Sequence, residues 1–385
     1  MQRTAFLRAG AVMCAGAVTV WGIWLYSGAA EKMQPLTELA ARLSAGGYSQ
    51  GQAVSSAVPD NTGDIGYYWD RTRTDIAWDI PADEPDADNS DDTGIRSCEF
   101  PSPEPSAKAL SALPYSNGTN EDGPITEYFF TGYTEDIYFD LDGGGQVKNC
   151  TSLSNSDLYA ESKKPCDFTL EKTSAQPQVL IYHTHTTEAF EQTEKTAYDA
   201  SFSCKTTDPD MSVVSVGDCI CEELDRAGIG YVHDRTIHDH PSYNDAYDSS
   251  RESVKALLEE YPSIKIVLDV HRDGIQRDDG TRLAPVCEIN GRKAAQIMLI
   301  SGCDDGTMGM PDYMQNFHFA CALQSALESD WNGLTRPILF DYRHYNQDLT
   351  NGSLLIEIGS QANSIAQARY TGTLVGKTLA SMFDT

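Results

Sequence analysis

The sequence predicts an α/β domain with a mostly parallel sheet flanked by helices, preceded by a transmembrane helix and a disordered stalk. Three observations lead there. After Gln178, short apolar runs alternate with segments of helical spacing, the pattern of strand–helix units that build a parallel sheet. One run, Ile264–Val270, is apolar almost throughout, as a strand covered on both faces must be. The first 124 residues lack this alternation.

Each segment has its own reason. Arg3 and Arg8 precede 22 uncharged residues, Ala9–Ala30, long enough to span a bilayer as a helix. Trp21, Trp24 and Tyr26 crowd the far end, where an interfacial aromatic belt sits. Basic residues before the span keep the N-terminus inside, so the expectation is a single-pass cell-membrane protein with its main domain extracytoplasmic. A cleaved signal peptide competes, with Ser27 and Ala29 as small residues before the cut, but its apolar region is usually shorter. Residues 31–124 read as an acidic, Pro-rich stalk. They hold nine of the 17 prolines, and six acidic side chains fall within 83–92, a composition that cannot offset the entropy of ordering. Residues 125–176, aromatic at Tyr128–Phe130, Tyr133 and Ile137–Phe139, read as a small lead-in subdomain, and 177–385 as the catalytic domain.

Within that domain, Gln178–Tyr182 is the first strand. Val213–Arg226 is a helix stopped by Gly228, and Gly230–Val232 a short strand. Ser249–Tyr261 is a helix stopped by Pro262, and Ile264–Val270 the second long strand. Ala294–Ser301, Ile338–Asp341 and Leu354–Ile358 complete the strands; Asn316–Ser329 and Ser364–Met382 the helices. In such sheets, sites form beyond the carboxyl ends of strands.

Lys and Arg total 28 against 57 Asp and Glu, a net charge of −29. Nucleic acid is excluded as a partner, because phosphate binding needs clustered basic residues. Ten cysteines, nine beyond the expected anchor, would face a compartment where disulfides persist.

The chemistry lies at three strand ends. The first strand runs into His183-Thr-His185-Thr-Thr-Glu188, the second into His271, and the last carries Glu357 among Leu354, Leu355, Ile356 and Ile358. A turn can bring His185 and Glu188 to one point. Two imidazoles and a carboxylate are a catalytic Zn²⁺ donor set with one position left open, and such an ion acidifies water and polarises a carbonyl. The alternative is a plain polar surface turn. A lone Glu in a core strand needs a partner or a task; Glu357 would act as general base, or else pair with Arg336 or Arg343. His183 is expected in a supporting or substrate-contacting place, or as a ligand. Arg272 would clamp a carboxylate, with Asp269 or Asp273 as orienting group. His233, His238 and His240, with Asp234 and Asp239, would line the cleft.

The segments Gln178–Glu188, His233–Asn244, Ile266–Asp273, Tyr345–Leu349 and Leu355–Gly359, in that order, resemble the stage II sporulation protein P family over roughly 125–383. The resemblance implies a membrane-anchored peptidoglycan hydrolase of amidase/phosphorylase-hydrolase-like fold, cleaving the amide between muramic acid and L-alanine and also peptide cross-links. It implies action in engulfment during sporulation, beside stage II sporulation proteins D and M. It implies zinc ligands His185, Glu188 and His271 and catalytic Glu357, with Glu188 chosen over Glu191 and Glu194 by spacing. Tyr243, Asn244, Tyr345 and Asn346 would shape the substrate groove. His240, where the family more often has an aromatic, and the acidic, cysteine-rich composition depart from the pattern. Two other readings share the fold: a carboxypeptidase-like hydrolase of stem peptides, and a non-catalytic wall-binding scaffold.

Overall fold

A computed structural model describes residues 97–102, 112–116 and 118–384. The expected anchor, 1–30, lies outside them, as does most of the stalk. Among the described residues, no helix is long and apolar enough to cross a membrane.

The chain begins with β1 (Glu99–Phe100), β2 (Gly123–Tyr128), β3 (Tyr138–Asp140), β4 (Gln146–Asn149) and α1 (Asn155–Glu161). β5 (Val179–Tyr182), β6 (Ala197–Tyr198), α2 (Val213–Ala227), β7 (Tyr231–His233), α3 (Ala246–Glu260) and β8 (Ile266–Asp273) follow. The last part holds β9 (Arg282–Ile289), β10 (Arg292–Ala295), β11 (Ile297–Gly302), α4 (Tyr313–Asp330), β12 (Ile338–Asp341), β13 (Ser353–Ser360) and α5 (Ile365–Ser381). The main sheet has nine strands in the order β1-β7-β5-β8-β13-β11-β12-β4-β3. From β1 to β13 every pairing is parallel; β11 against β13 and β3 against β4 are antiparallel. A second sheet, β10-β9-β2-β6, stands beside it.

Alternation along the central strands sorts their residues onto two faces. Val179 and Ile181 of β5 and Leu268 and Val270 of β8 share a core with Val216, Ile220 and Leu224 of α2. Leu180, Tyr182 and Val267 share another with Val254 and Leu257 of α3. Both faces are dry, so β5 is apolar at every position. Capping follows the local sequence. Ser212 accepts a bond from Val214 N at the start of α2, and Gly228, at φ 74°, closes its end. Ser364 and Gln367 form a capping box on α5.

Two expectations change. The stalk does not extend to 124: β1 extends the main sheet beside β7, Phe100 packs edge-on against Tyr261, and the Tyr115 hydroxyl donates to Phe190 O. These contacts join residues distant in sequence, so local composition does not show them. Nor does 125–176 stand apart as a lead-in subdomain. β4 pairs with β12 and β2 with β9, so its strands belong to the two sheets of the domain itself. No disulfide joins the nine described cysteines.

Two glycines set the geometry near the strand ends. A Cβ on Gly217 of α2 would lie 2.7 Å from His233 Nε2 and 2.9 Å from the His183 ring, so only glycine lets the helix close over that pair. Gly359, at φ 62°, falls where β13 shifts register against β8 between Glu357 and Ser360. Such an irregularity re-aims the strand just past Glu357.

Candidate active site

His185, Glu188, His271 and Glu357 come together at the carboxyl end of the central strands. β5 stops at Tyr182, and a turn closed by Glu188 N donating to His185 O (3.0 Å) carries His185 and Glu188 round. His271 lies within β8, not beyond it, and is the register partner of Glu357 on parallel β13. Register partners on adjacent strands project from the same face about 4.8 Å apart, here the face toward α3. His271 Nδ1 is 3.4 Å from Glu188 Oε2. The rings of His185 and His271 meet edge to face, 5.2 Å between centroids. His185 stacks on Tyr243 at 4.4 Å and 7°, with Tyr247 against its edge at 5.5 Å.

Burial and charge tune these groups. Burial holds the His185 imidazole down at about 4, which keeps it neutral. Burial alone would raise Glu188, yet Arg272 and His271 hold it at about 2. His271 sits between two carboxylates, with Asp269 Oδ1 2.8 Å from Nε2 on the side away from Glu188, a contact close in distance but off the angle of a hydrogen bond. Asp269 and Glu188 outweigh the burial that would lower the His271 pKa and hold it well above the usual imidazole range. Burial, with Asp273 nearby, raises Glu357 to about 8. Glu357 Oε2 is inaccessible and has no hydrogen-bond partner, although the residue as a whole is half-buried. Neither expected arginine takes it: Arg336 pairs with Asp273 (2.9 Å) and Arg343 with Asp341 (3.0 Å).

Among the described residues, no group of three or more His, Cys, Asp or Glu side chains is set so that it could hold a metal ion as it stands. The donor set nevertheless suits one. It offers two imidazoles and a carboxylate, and the inaccessible His185 Nδ1 has no hydrogen-bond partner, a rare state for a buried polar atom. The competing carboxylates are elsewhere: Glu191 is held 2.8 Å from Lys195 Nζ and Glu194 2.7 Å from Lys293 Nζ.

The surrounding residues correct several expectations. His183 continues the alternation of Val179 and Ile181 and turns to the α2 face, not into the cleft. Its Nδ1 bonds Val270 O and its Nε2 bonds His233 Nε2, both at 2.9 Å, and it is fully buried, so it offers no atom to a substrate. Arg272 is no clamp, because its guanidinium donates to the carbonyls of Ala189, Asp273 and Cys204. Its backbone N–H bonds Glu188 Oε2 at 3.0 Å. Of Asp269 and Asp273, Asp269 is the one beside His271. It faces His271 and accepts from Thr184 N (2.8 Å) and Thr184 Oγ1 (2.7 Å).

Asn346, at φ 56°, braces its loop by donating to Tyr247 O and Ser250 Oγ, so it is not a groove contact. Tyr345 is half-buried, 5.4 Å from the Tyr247 ring, and Tyr243 caps His185; Asn244 is exposed on the approach to α3. His238 and Asp239 support the turn from beneath, His238 bonding Ser249 Oγ and Asp239 accepting from Thr187 N.

Two residues were not foreseen. Tyr247 lies in the first turn of α3 and sets its ring against His185, while Tyr243 does so from the loop before the helix. Lys205 carries no local signal. Its backbone bridges Glu188, and its Nζ lies 3.8 Å from the Tyr243 ring centroid.

A family model for stage II sporulation protein P matches residues 140–380. The chain is 26% identical over 230 residues to stage II sporulation protein P of Bacillus subtilis (strain 168), covering 55% of this chain and 53% of that protein. The chain thus spans about half the length of the curated relative it matches. Among solved structures, it is similar to N-acetylmuramoyl-L-alanine amidase AmiC2 of Nostoc punctiforme: 10% identity, TM-score 0.31, 55% of this chain and 96% of that one. It is likewise similar to the N-acetylmuramoyl-L-alanine amidase of Clostridium difficile 630: 14% identity, TM-score 0.31, 55% and 99%. The family match covers well over half of the sequence and includes all four converging residues, so this chain belongs to the stage II sporulation protein P family.

Proposed function

We propose that this protein is a peptidoglycan hydrolase of sporulation that cleaves the amide between muramic acid and L-alanine, with Glu357 as its proton carrier. One observation carries the reading: Glu357, its Oε2 buried and without a partner, is in register with His271, which touches Glu188. A buried carboxyl group without a partner costs stability, and proton transfer is the task that explains its retention. His185, Glu188 and His271 would hold Zn²⁺. When bound, the ion supplies a Lewis acid that polarises the scissile carbonyl and acidifies water. The rest is work for side chains. Asp269 and the Arg272 backbone N–H orient His271 and Glu188. Tyr243 and Tyr247 wall His185 from solvent. Glu357 takes the proton of the attacking water and delivers it to the leaving amine.

Arg3 and Arg8 before the uncharged Ala9–Ala30 support a single-pass anchor in the cell membrane, with the domain extracytoplasmic. Family membership supports stage II sporulation proteins D and M as partners. The carboxypeptidase-like reading relied on Arg272, whose donors are spent on carbonyls. A non-catalytic scaffold leaves the state of Glu357 unexplained. Digestion of purified peptidoglycan, followed by mass spectrometry, separates the readings. Release of intact stem peptides from bare glycan strands is expected. Peptides trimmed only at their free ends would instead favour the carboxypeptidase-like enzyme, and no products at all the scaffold.

A further inference from the structure

We propose that Lys205 is a specificity residue that recognises a carboxylate on the stem peptide close to the scissile amide. The inference rests on the hydrolase reading and deepens it. Lys205 is pinned at the site by backbone pairing: it bridges Glu188, while Ala189 N donates to Cys204 O (3.0 Å) and Thr206 N to Thr187 O (2.8 Å). Its ammonium lies over one face of Tyr243, 3.8 Å from the centroid, and His185 stacks on that tyrosine at 4.4 Å. The cation is therefore one aromatic ring away from the imidazole at the centre of the site.

Its donors remain available. Asp239 Oδ2 is 3.7 Å away, and that carboxylate already accepts from Thr187 N (3.0 Å) and Thr187 Oγ1 (2.6 Å). Among the described residues, the ammonium donates no hydrogen bond of ordinary length. Its side chain is 32% exposed, so a ligand can reach it. The other cations of the site are committed: Arg272 to carbonyls, Arg336 to Asp273 and Arg343 to Asp341. With Glu357, Asp269 and Asp273 close by, an anionic ligand group out of reach of the ion that His185, Glu188 and His271 would hold meets like charge unless another cation faces it. A partly desolvated ammonium with free donors suits a carboxylate. The stem peptide offers two sources, the α-carboxylate of its second residue and its C-terminal carboxylate.

Calorimetric binding of three muramoyl tripeptides distinguishes them, measured on the full chain carrying Glu357→Gln so that nothing is cleaved. One ligand has both carboxylates free, one has the second residue's α-carboxylate amidated, and one has the C-terminus amidated. Amidation at the recognised position is expected to weaken binding about tenfold. Adding Lys205→Met should bring that ratio close to one, and adding Lys205→Arg should keep most of it. Whichever carboxylate shows the lysine-dependent ratio is the source. Equal Kd values for all three ligands, a ratio that survives Lys205→Met, or no binding of any ligand overturns the inference. A lysine-dependent ratio in a protein whose unsubstituted form digests no peptidoglycan sinks the hydrolase reading alone.

Discussion

Glu357→Gln is expected to lower kcat on purified peptidoglycan by about 10³-fold, the scale of a general base, while leaving fold and zinc binding in place. The substitution keeps the shape of the side chain and removes only its capacity to take a proton. Stability should not fall, because Glu357 Oε2 has no partner to lose and the carboxylate sits near Asp273 and Glu188, like charges that oppose its ionisation. Turnover and thermal unfolding measured on the same preparation check both halves. Near-normal digestion by the variant would remove Glu357 from the mechanism. Lost digestion together with a lowered Tm would indicate a structural role instead.

Arg336→Met is expected to destabilise the domain by about 3 kcal/mol, the lower part of the range for breaking a buried ion pair. Arg336 is 5% exposed, its Nη1 is 2.9 Å from Asp273 Oδ2, and its guanidinium lies 4.7 Å from the Phe130 centroid. Methionine restores much of the packing but leaves the Asp273 carboxylate without its cation, in a region that already holds Glu357. The loss is therefore electrostatic, and Arg336→Met with Asp273→Asn should recover most of it. Denaturant unfolding of the single and double variants measures this coupling. A single-variant loss below about 1 kcal/mol, or a double variant no better than the single, would show that the pair does not stabilise this corner.

What the sequence revealed, and what it hid, follows from how each contact is made. Ile264–Val270 and Leu354–Ile358 were legible because strands covered on both faces leave an unbroken apolar run, within which Glu357 stands out. His271 was legible as the polar residue at the end of such a run. The choice between His183 and His185 depended on where β5 stops. Had the strand run on through His185, both imidazoles would have pointed the same way; the turn that follows Tyr182 separates them. Arg272 read as a substrate clamp because its charge is visible in sequence while the carbonyls of Ala189 and Cys204 that absorb its donors are not. Lys205 was silent for the same reason, since its place is set by a bridge to Glu188. β9 was missed because Pro285 interrupts its apolar run. β1 gave no sign, for a two-residue edge strand takes its order from β7 and not from its own composition.

Equilibrium zinc titration of the purified full chain tests the arrangement of His185, Glu188 and His271 most directly. One Zn²⁺ bound per chain is expected, with binding lost in Glu188→Ala and kept in Glu357→Gln. No stoichiometric zinc in the unsubstituted protein, or undiminished binding after Glu188→Ala, would contradict the site proposed for these residues.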